Sequence, residues 1–284
     1  MPKTVVKFRS TIAKPSDFKL AARLCRRAAG RGDYTLWVLR ETIKDGGLFL
    51  AWAGDELVGM TNFDRCVDGS GWLSMARTDP KWRRTGVALF LQGKTANYAK
   101  RRGSSFLRLW TLSNNTASKR ACLKGGFKPV CEAAHISCVF RGKRRRKTHA
   151  PLRDLSAATL KSLLTSGNVS KTHGYLGYKW HFVKADRDLL LKIARTGELY
   201  EGDETRFILT KPEQRFHARR STLTLLTGYV GRSLLAAKKL AKDLGADSLS
   251  SYVPHDSYTL RTAGKAGFRL DDWGKHCIVF EKRI

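Results

Sequence analysis

Apolar and polar positions change period several times along the chain. Residues 4–8, "TVVKF", read as a first strand. In "PSDFKLAARLCRRA" the residues Phe18, Ala21, Ala22 and Cys25 fall on one face of a helix. Arg26 and Arg27 stand near its C-terminal end, where cations complement the helix dipole, and Pro15 suits its first turn. A second helix is expected over 34–43. "GLFLAWAGDELVGMTNF" reads as two strands joined by a tight turn at Ala53, Gly54 and Asp55, an antiparallel hairpin. "GWLSMARTD" is a third strand, limited by Pro80. A helix from Val87 to Lys100 follows and is closed by Arg101, Arg102 and Gly103. "SFLRLWTL" is strand-like, "NNTASKRACLKGGF" a short helix opened by Asn and stopped by Gly125 and Gly126, and "AAHISCVF" a strand.

The second half partly repeats this order. Residues 99–127 can be set against 241–268: both begin Ala-Lys-x-x-Gly, pass through a strand-like run, and end on a helix closed by Gly-Phe. Gly103 lies 24 residues before Phe127, and Gly245 lies 23 before Phe268. A repeat of this kind implies two similar units. We expect them at 1–142 and 172–284, with 143–171 as a basic linker. The second opens with "YKWHFVKA" as a strand, then a helix carrying Leu189, Leu190, Leu191 and Ile193. Mixed strands and helices in this order give an α+β fold class.

The chain of 284 residues is 42% hydrophobic, enough for a substantial core. No apolar run approaches the roughly 18 residues of a membrane span. "MPKTVVKFRS" lacks the apolar block of a secretory signal. The six cysteines form no C-x-x-C pair, which argues against a zinc framework or a disulfide scaffold. A cytoplasmic location without membrane contact is the expectation.

Charge changes the picture more. The formal net charge is +30. Residues 1–150 hold 31 basic and 10 acidic side chains, net +21, and the remainder 23 and 14, net +9. Such a balance speaks to partners rather than fold: a phosphate-rich cofactor, a nucleic acid or another polyanion, or simply a soluble surface. The run 143–147, five basic residues, reads as a charged arm, either a solvated connection or a polyanion contact.

The stretch "KWRRTGVALF" places positive charge and a glycine where a strand ends and a helix begins. Unpaired N–H groups at a helix start, with the dipole behind them, form an anion site. Gly86 lets backbone approach a ligand, Ala88 is small, and Arg83 and Arg84 suit phosphate. Ordinary helix capping is the other reading of the same residues.

Two motifs in order carry a resemblance to the GNAT superfamily of acetyl-CoA-dependent N-acetyltransferases. Arg83, Gly86 and Ala88 match its Arg/Gln-x-x-Gly-x-Gly/Ala signature. Asn115, Gly126 and Phe127 match an Asn opening a helix that ends in Gly-Phe. The resemblance covers about 5–140. It implies two tandem GNAT-like domains, each a mostly antiparallel twisted sheet with a central parallel pair and flanking helices. It also implies acetyl-CoA as cofactor, with the N–H groups of Arg84, Thr85, Gly86, Val87 and Ala88 around its pyrophosphate. Main chain at Ala76, Arg77 and Thr78 would pair with the pantetheine arm, and Asn115, with Ser118 nearby, would bond it. The acetyl group would pass to a primary amine by direct attack.

The sequence departs from the family at Cys122, where many members carry a Tyr that protonates the leaving thiolate. Cys122 is either an acid or a buried inert thiol, with water or Tyr98 as substitutes. "GWLSMART" holds no Glu to serve as base; Asp64, on the preceding strand, is the best nearby carboxylate, with Glu41 and His135 as weaker candidates and a water chain as the alternative. In the second half Gly228 and Gly231 persist, but Leu225 or Leu226 replaces the leading Arg, Asp256 the Asn, and Ala263 the Cys. This marks a degenerate copy. Two other functions stay open: a GNAT-type enzyme acting on nucleic acid or an RNA-linked amine, and a non-catalytic module binding coenzyme A or nucleic acid. The acceptor, a small molecule or a peptide amine, and the oligomeric state are not legible.

Overall fold

The computed structural model describes residues 7–140, 150–202, 204–215, 218–271 and 276–284. The basic run 143–147 and residues 4–6 of the expected first strand lie outside the described residues. The chain is α+β, with a mixed sheet and flanking helices.

The elements of the first half are β1 (Phe8–Ile12), α1 (Phe18–Ala29), α2 (Thr35–Lys44), β2 (Leu48–Ala53), β3 (Glu56–Arg65), β4 (Gly71–Thr78), α3 (Val87–Arg101), β5 (Phe106–Leu112), α4 (Thr116–Lys124) and β6 (Lys128–Val139). Then come α5 (Ala157–Leu164), α6 (Gly167–Lys171), β7 (Tyr175–Tyr178), β8 (His181–Lys184), α7 (Arg187–Thr196), β9 (Leu199–Gly202), β10 (Thr205–Leu209), β11 (Glu213–Arg215), β12 (Ala218–Thr227), α8 (Val230–Asp243), β13 (Ser248–Pro254), α9 (Ser257–Lys265), β14 (Arg269–Leu270) and β15 (Cys277–Arg283).

Two compact units result, and they do not follow the continuous spans suggested by the sequence. The first holds 1–109, 116–128 and 280–284; the second holds 110–115 and 129–279. Side-chain chemistry shows why the chain's end belongs to the first unit. Buried Arg108 donates through Nε to Glu281 at 2.6 Å, through Nη1 to the Ser70 hydroxyl at 2.8 Å, and also to Asp68. Lys282 Nζ donates to the Gly125 carbonyl at 2.8 Å, and the Ile284 amide to Ser105 O at 3.0 Å. A guanidinium at this depth needs its carboxylates, because an unpaired buried charge is costly.

In the first unit the strands run β1-β2-β3-β4, all antiparallel, and β4 then meets β5 in parallel. Helices α1 and α2 cover one face. Ala21, Ala22, Leu24, Cys25, Leu39 and Ile43 pack there on Leu48, Leu50, Met60 and Met75. This matches the apolar stripe of the sequence. The other face carries α3, whose Tyr98 meets Phe49 and Phe63 edge-on.

In the second unit β6 lies antiparallel to β13, which lies parallel to β12, which is followed by β10 and β9. Its core joins Ala134, Ile136 and Cys138 of β6 to Leu234, Ala237 and Ala241 of α8 and to Leu249, Val253 and Phe268. "YKWHFVKA", expected as one strand, is instead the end of β7, a turn and β8, a separate hairpin. Lys179 takes φ 56 at that turn, a left-handed conformation that breaks the strand.

Candidate functional site

Strand β4 parts from its parallel neighbour almost at once. Only Gly71↔Leu107 and Trp72↔Arg108 pair. Beyond Trp72, β4 pairs with no strand but β3 among the described residues. Just past the fork β4 bulges: Asn62 faces Ser74 and Met60 faces Arg77, so Met75 and Ala76 oppose one residue, Thr61. Met75 is buried with φ 54. A bulge of this kind bends a strand and turns its main chain. The result is a stretch of β4, including exposed Ala76, half-buried Arg77 and half-buried Thr78, with no second strand paired to it among the described residues and with the Ala76 carbonyl accepting from Arg77 Nη1 at 2.9 Å. An extended ligand could add to that stretch as a strand does.

The Arg77 side chain plays a different part. Its Nε and Nη2 donate to the two Asp33 oxygens at 2.7 and 2.6 Å, tying the turn between α1 and α2 to β4. Burial works to raise the Asp33 carboxyl, but bonds from Arg77 and the Thr35 amide hold it below the usual carboxylate range. Asp79 is built alike. Burial opposes its charge, while the Lys81 amide at 3.0 Å and Arg27 Nε at 2.6 Å lower its pKa.

Asp79 also fixes where the next loop starts. The chain passes through a 3-10 turn at Pro80–Trp82 and then through residues 83–86 into α3. Arg84 has φ 68 and Gly86 φ 99. No side chain caps α3. The first helical bond runs from the Phe90 amide to Gly86 O at 2.9 Å, so the N–H groups of Val87, Ala88 and Leu89 have no acceptor inside the helix. A Cβ on Gly86 would touch nothing within 4 Å, so open space lies where a ligand would approach. The Thr85 hydroxyl donates to Trp82 O at 2.7 Å, and Arg83 Nη2 donates to Ala28 O at 2.9 Å. Arg83 therefore braces the loop on α1, and exposed Arg84 is the freer cation. Residues 80–131 contain twelve Lys and Arg and no Asp or Glu. That one-signed field favours an anion at the loop.

Asp64 sits half-buried on β3, opposite Trp72 and beside the fork. Asn62 Nδ2 donates to Asp64 Oδ2 at 2.9 Å and to the Ser74 hydroxyl at 3.4 Å. Asn62 is 3% exposed, and its Oδ1 has no hydrogen-bond partner. Met60, Asn62 and Asp64 alternate onto the face that carries α1 and α2, while Phe63 turns to α3. The trio Asn62, Asp64 and Ser74 is thus a polar patch at the mouth of the fork. The signal for Asn62 in the sequence is strand periodicity, two residues back from Asp64.

The remaining candidates fall elsewhere. Cys122 is buried in α4, and burial pushes its thiol up to about 11, against a small opposing effect from Ser118. A group that holds its proton so firmly is a poor donor to a thiolate of ordinary basicity near 8.5. Tyr98 is engaged in the aromatic cluster under α3. Glu41 is exposed on α2. Asn115, whose amide donates to Leu112 O at 2.9 Å, and His135, 2.6 Å from Asp271, belong to the second unit.

The second unit repeats the fork and closes it. Parallel pairing of β12 with β13 ends at Leu223↔Ser251. Beyond it, Ser166 donates to the Leu226 carbonyl at 2.5 Å and Asn168 to Gly228 O at 3.4 Å. Thr224 donates to Gly177 O, and Gly177 lies against Tyr252. Asp256 caps α9 through the Thr259 amide at 2.9 Å and pairs with Lys171 at 3.1 Å. The chain's own α6 and β7 fill the place.

Residues 18–127 match the acetyltransferase (GNAT) family. Among solved structures, a protein described as an acetyltransferase from Thermoplasma acidophilum superposes with a TM-score of 0.61 at 14% identity, covering 98% of this chain and 100% of that one. A GCN5-related N-acetyltransferase from Sphaerobacter thermophilus gives 0.58 at 13% identity, with 97% and 95% covered. A protein from Pyrococcus horikoshii, also described as an acetyltransferase, gives 0.55 at 14%, with 98% and 89% covered. These likenesses establish the fold. Comparison with curated protein sequences gives no match. No helix among the described residues is long and apolar enough to cross a membrane.

Proposed function

Taking residues 18–127 as a GNAT acetyltransferase domain, a family whose acyl donor is acetyl-CoA, we propose that the chain is an acyl-CoA-dependent N-acetyltransferase with one working site, in the first unit. The observation that carries this is a single conjunction. An uncapped α3 entered through left-handed Arg84 and Gly86 lies directly after a β4 that bulges and leaves β5.

The residues fit the coenzyme. Free amides of 87–89 and the Arg84 cation suit a pyrophosphate, and space over Gly86 admits it. The stretch 76–78, with no second strand paired to it among the described residues, suits an amide-bearing arm. Bound there, the coenzyme would supply an activated acyl thioester. Asp64 would take the proton of a primary amine arriving on the α1 and α2 face, with Asn62 holding the carboxylate in place. A neutral amine is required because its lone pair is the nucleophile. Much of the rate would come from holding the amine in line, since Cys122, at the place of the family's Tyr, holds its proton up to about 11. Asn115 remains an expectation from the family motif.

The test is calorimetric titration of acetyl-CoA into wild type and Gly86→Glu. Wild type should bind one equivalent. The variant should lose on the order of 100-fold or more, since like charges about 5 Å apart repel by ~3 kcal/mol at an effective dielectric near 20. Equal affinity would end the proposal.

The acid-free run 80–131 supports a second reading of the acceptor: an amine carried on RNA or another polyanion. Binding of such a partner should weaken steeply as salt rises. Salt-independent binding, or none at low salt, would remove it.

A further inference from the structure

A cleft of about 610 Å³ opens in the second unit. Its lining includes Glu132, His255, Lys171, His173 and Asp256. Two of its lining residues, Glu132 and His255, meet His276 from a distant part of the chain. Glu132 lies on β6, His255 directly follows β13, and His276 directly precedes β15. The His255 and His276 rings stack with centroids 4.1 Å apart and planes 23° from parallel. His276 Nε2 lies 3.3 Å from Glu132 Oε2. One donor atom from each residue falls within 4.8 Å of the other two.

We propose that Glu132, His255 and His276 form a binding site for a borderline transition-metal cation of the Zn2+ class, with one coordination position open to the cleft. Two imidazoles and one carboxylate are a donor set such ions favour. The backbone already positions them. Ala133 pairs with Pro254, so Glu132 and His255 stand one step further along the same antiparallel register. The His276 carbonyl accepts from the Ser113 amide at 2.9 Å, which fixes the third segment. Tetrahedral bonds of about 2.1 Å place donor atoms roughly 3.4 Å apart, so the set, now within 4.8 Å, would draw in and the stacked rings would turn as the ion binds. Lys171 is near but paired with Asp256 at 3.1 Å. A chain of net +30 offers little to hard cations drawn by charge alone, so imidazole nitrogen, not electrostatics, selects the metal. Three protein ligands leave a fourth position for water or another small donor. The bound ion would also clip the ends of β6, β13 and β15 together. This site does not depend on the coenzyme reading, because it lies wholly in the other unit.

The experiment is calorimetric titration of tag-free, full-length protein with Zn2+, repeated with Co2+ to read the visible absorption of tetrahedral coordination. Wild type should take one Zn2+ per chain, undisturbed by millimolar Mg2+ or Ca2+. His255→Ala, His276→Ala and Glu132→Gln should each weaken binding by at least ~10-fold. His173→Ala, in the same cleft, should bind as wild type does. Should an alanine variant lose its circular dichroism, His255→Gln, of similar size, should fold and still lose the metal. The proposal is overturned if wild type takes no stoichiometric Zn2+, if the His255→Ala/His276→Ala double variant binds like wild type, or if His173→Ala loses as much as they do.

Discussion

Between β4 and α3 the chain uses eight residues, 79–86, and enters the left-handed region twice. Between β12 and α8 it uses two, Gly228 and Tyr229. Both helices begin without a side-chain cap, but the first loop leaves open space over Gly86. The second turns tightly, and a Cβ on Gly228 would meet Thr205 Cγ2 at 2.6 Å and Glu204 O at 2.9 Å. Where β4 has no second strand beside it among the described residues, the Leu226 carbonyl of β12 is bound by Ser166 and the Gly228 carbonyl just past it by Asn168. A parallel strand pair followed by a helix can therefore keep its frame while the space at its fork is given to packing. Burying the fork stabilises the second unit, while in the first β4 has no second strand paired beyond Trp72 among the described residues.

The strongest way to break this comparison is the coenzyme titration described above, because it also counts sites. One equivalent per chain, lost in Gly86→Glu, fits a single open fork. Two equivalents would show that α6 and β7 do not block the second.

Turnover comes next. Asp64→Asn should lower kcat by about 100-fold with little change in coenzyme affinity, within the usual range for a general base. Cys122→Ala should lower it only a few-fold, because burial holds that thiol at about 11. A larger loss in Cys122→Ala than in Asp64→Asn would reverse the two assignments.

Stability then tests the two glycines against each other. Gly228→Ala combines φ 87 with a backbone clash, and should cost about 3 kcal/mol. Gly86→Ala has φ 99 but empty space, and should cost only ~1–2 kcal/mol. Urea denaturation checks this, with two transitions expected if the units unfold separately. Equal losses would mean that the loops are equally packed.

Acid gives the smallest effect. The Asp33 carboxyl is held below its ordinary value in the folded chain. Its contribution is fully present above the unfolded pKa near 4 and disappears as pH falls through the lower folded value. Asp33→Asn should therefore flatten the loss of stability below about pH 4, seen in thermal melts of both proteins. A variant curve parallel to wild type would show that the Arg77 pairing does not depend on charge.

Much of this was legible in the sequence because it is local. The apolar spacing of Ala21, Ala22 and Cys25 marks α1. Gly54 marks the hairpin, and "RRTGVA" marks a glycine turn into a helix. Each depends on residues within a turn or two of one another. The hairpin inside "YKWHFVKA" was missed because a lysine carries no sign that it will take a positive φ. The compact units also differ from 1–142 and 172–284, since membership is decided by contacts such as Arg108 with Glu281, 173 residues apart.

The sequence by itself determined most of the order of elements in the first half, the basic field and the loop that could hold an anion, because periodicity, charge and backbone freedom reside in neighbouring residues. Only the tertiary structure decided which fork stays open, that Asn62 stands behind Asp64, and that Glu132, His255 and His276 meet. Those outcomes depend on strand register and on which distant side chain reaches a strand edge first, and nothing in a local stretch encodes either.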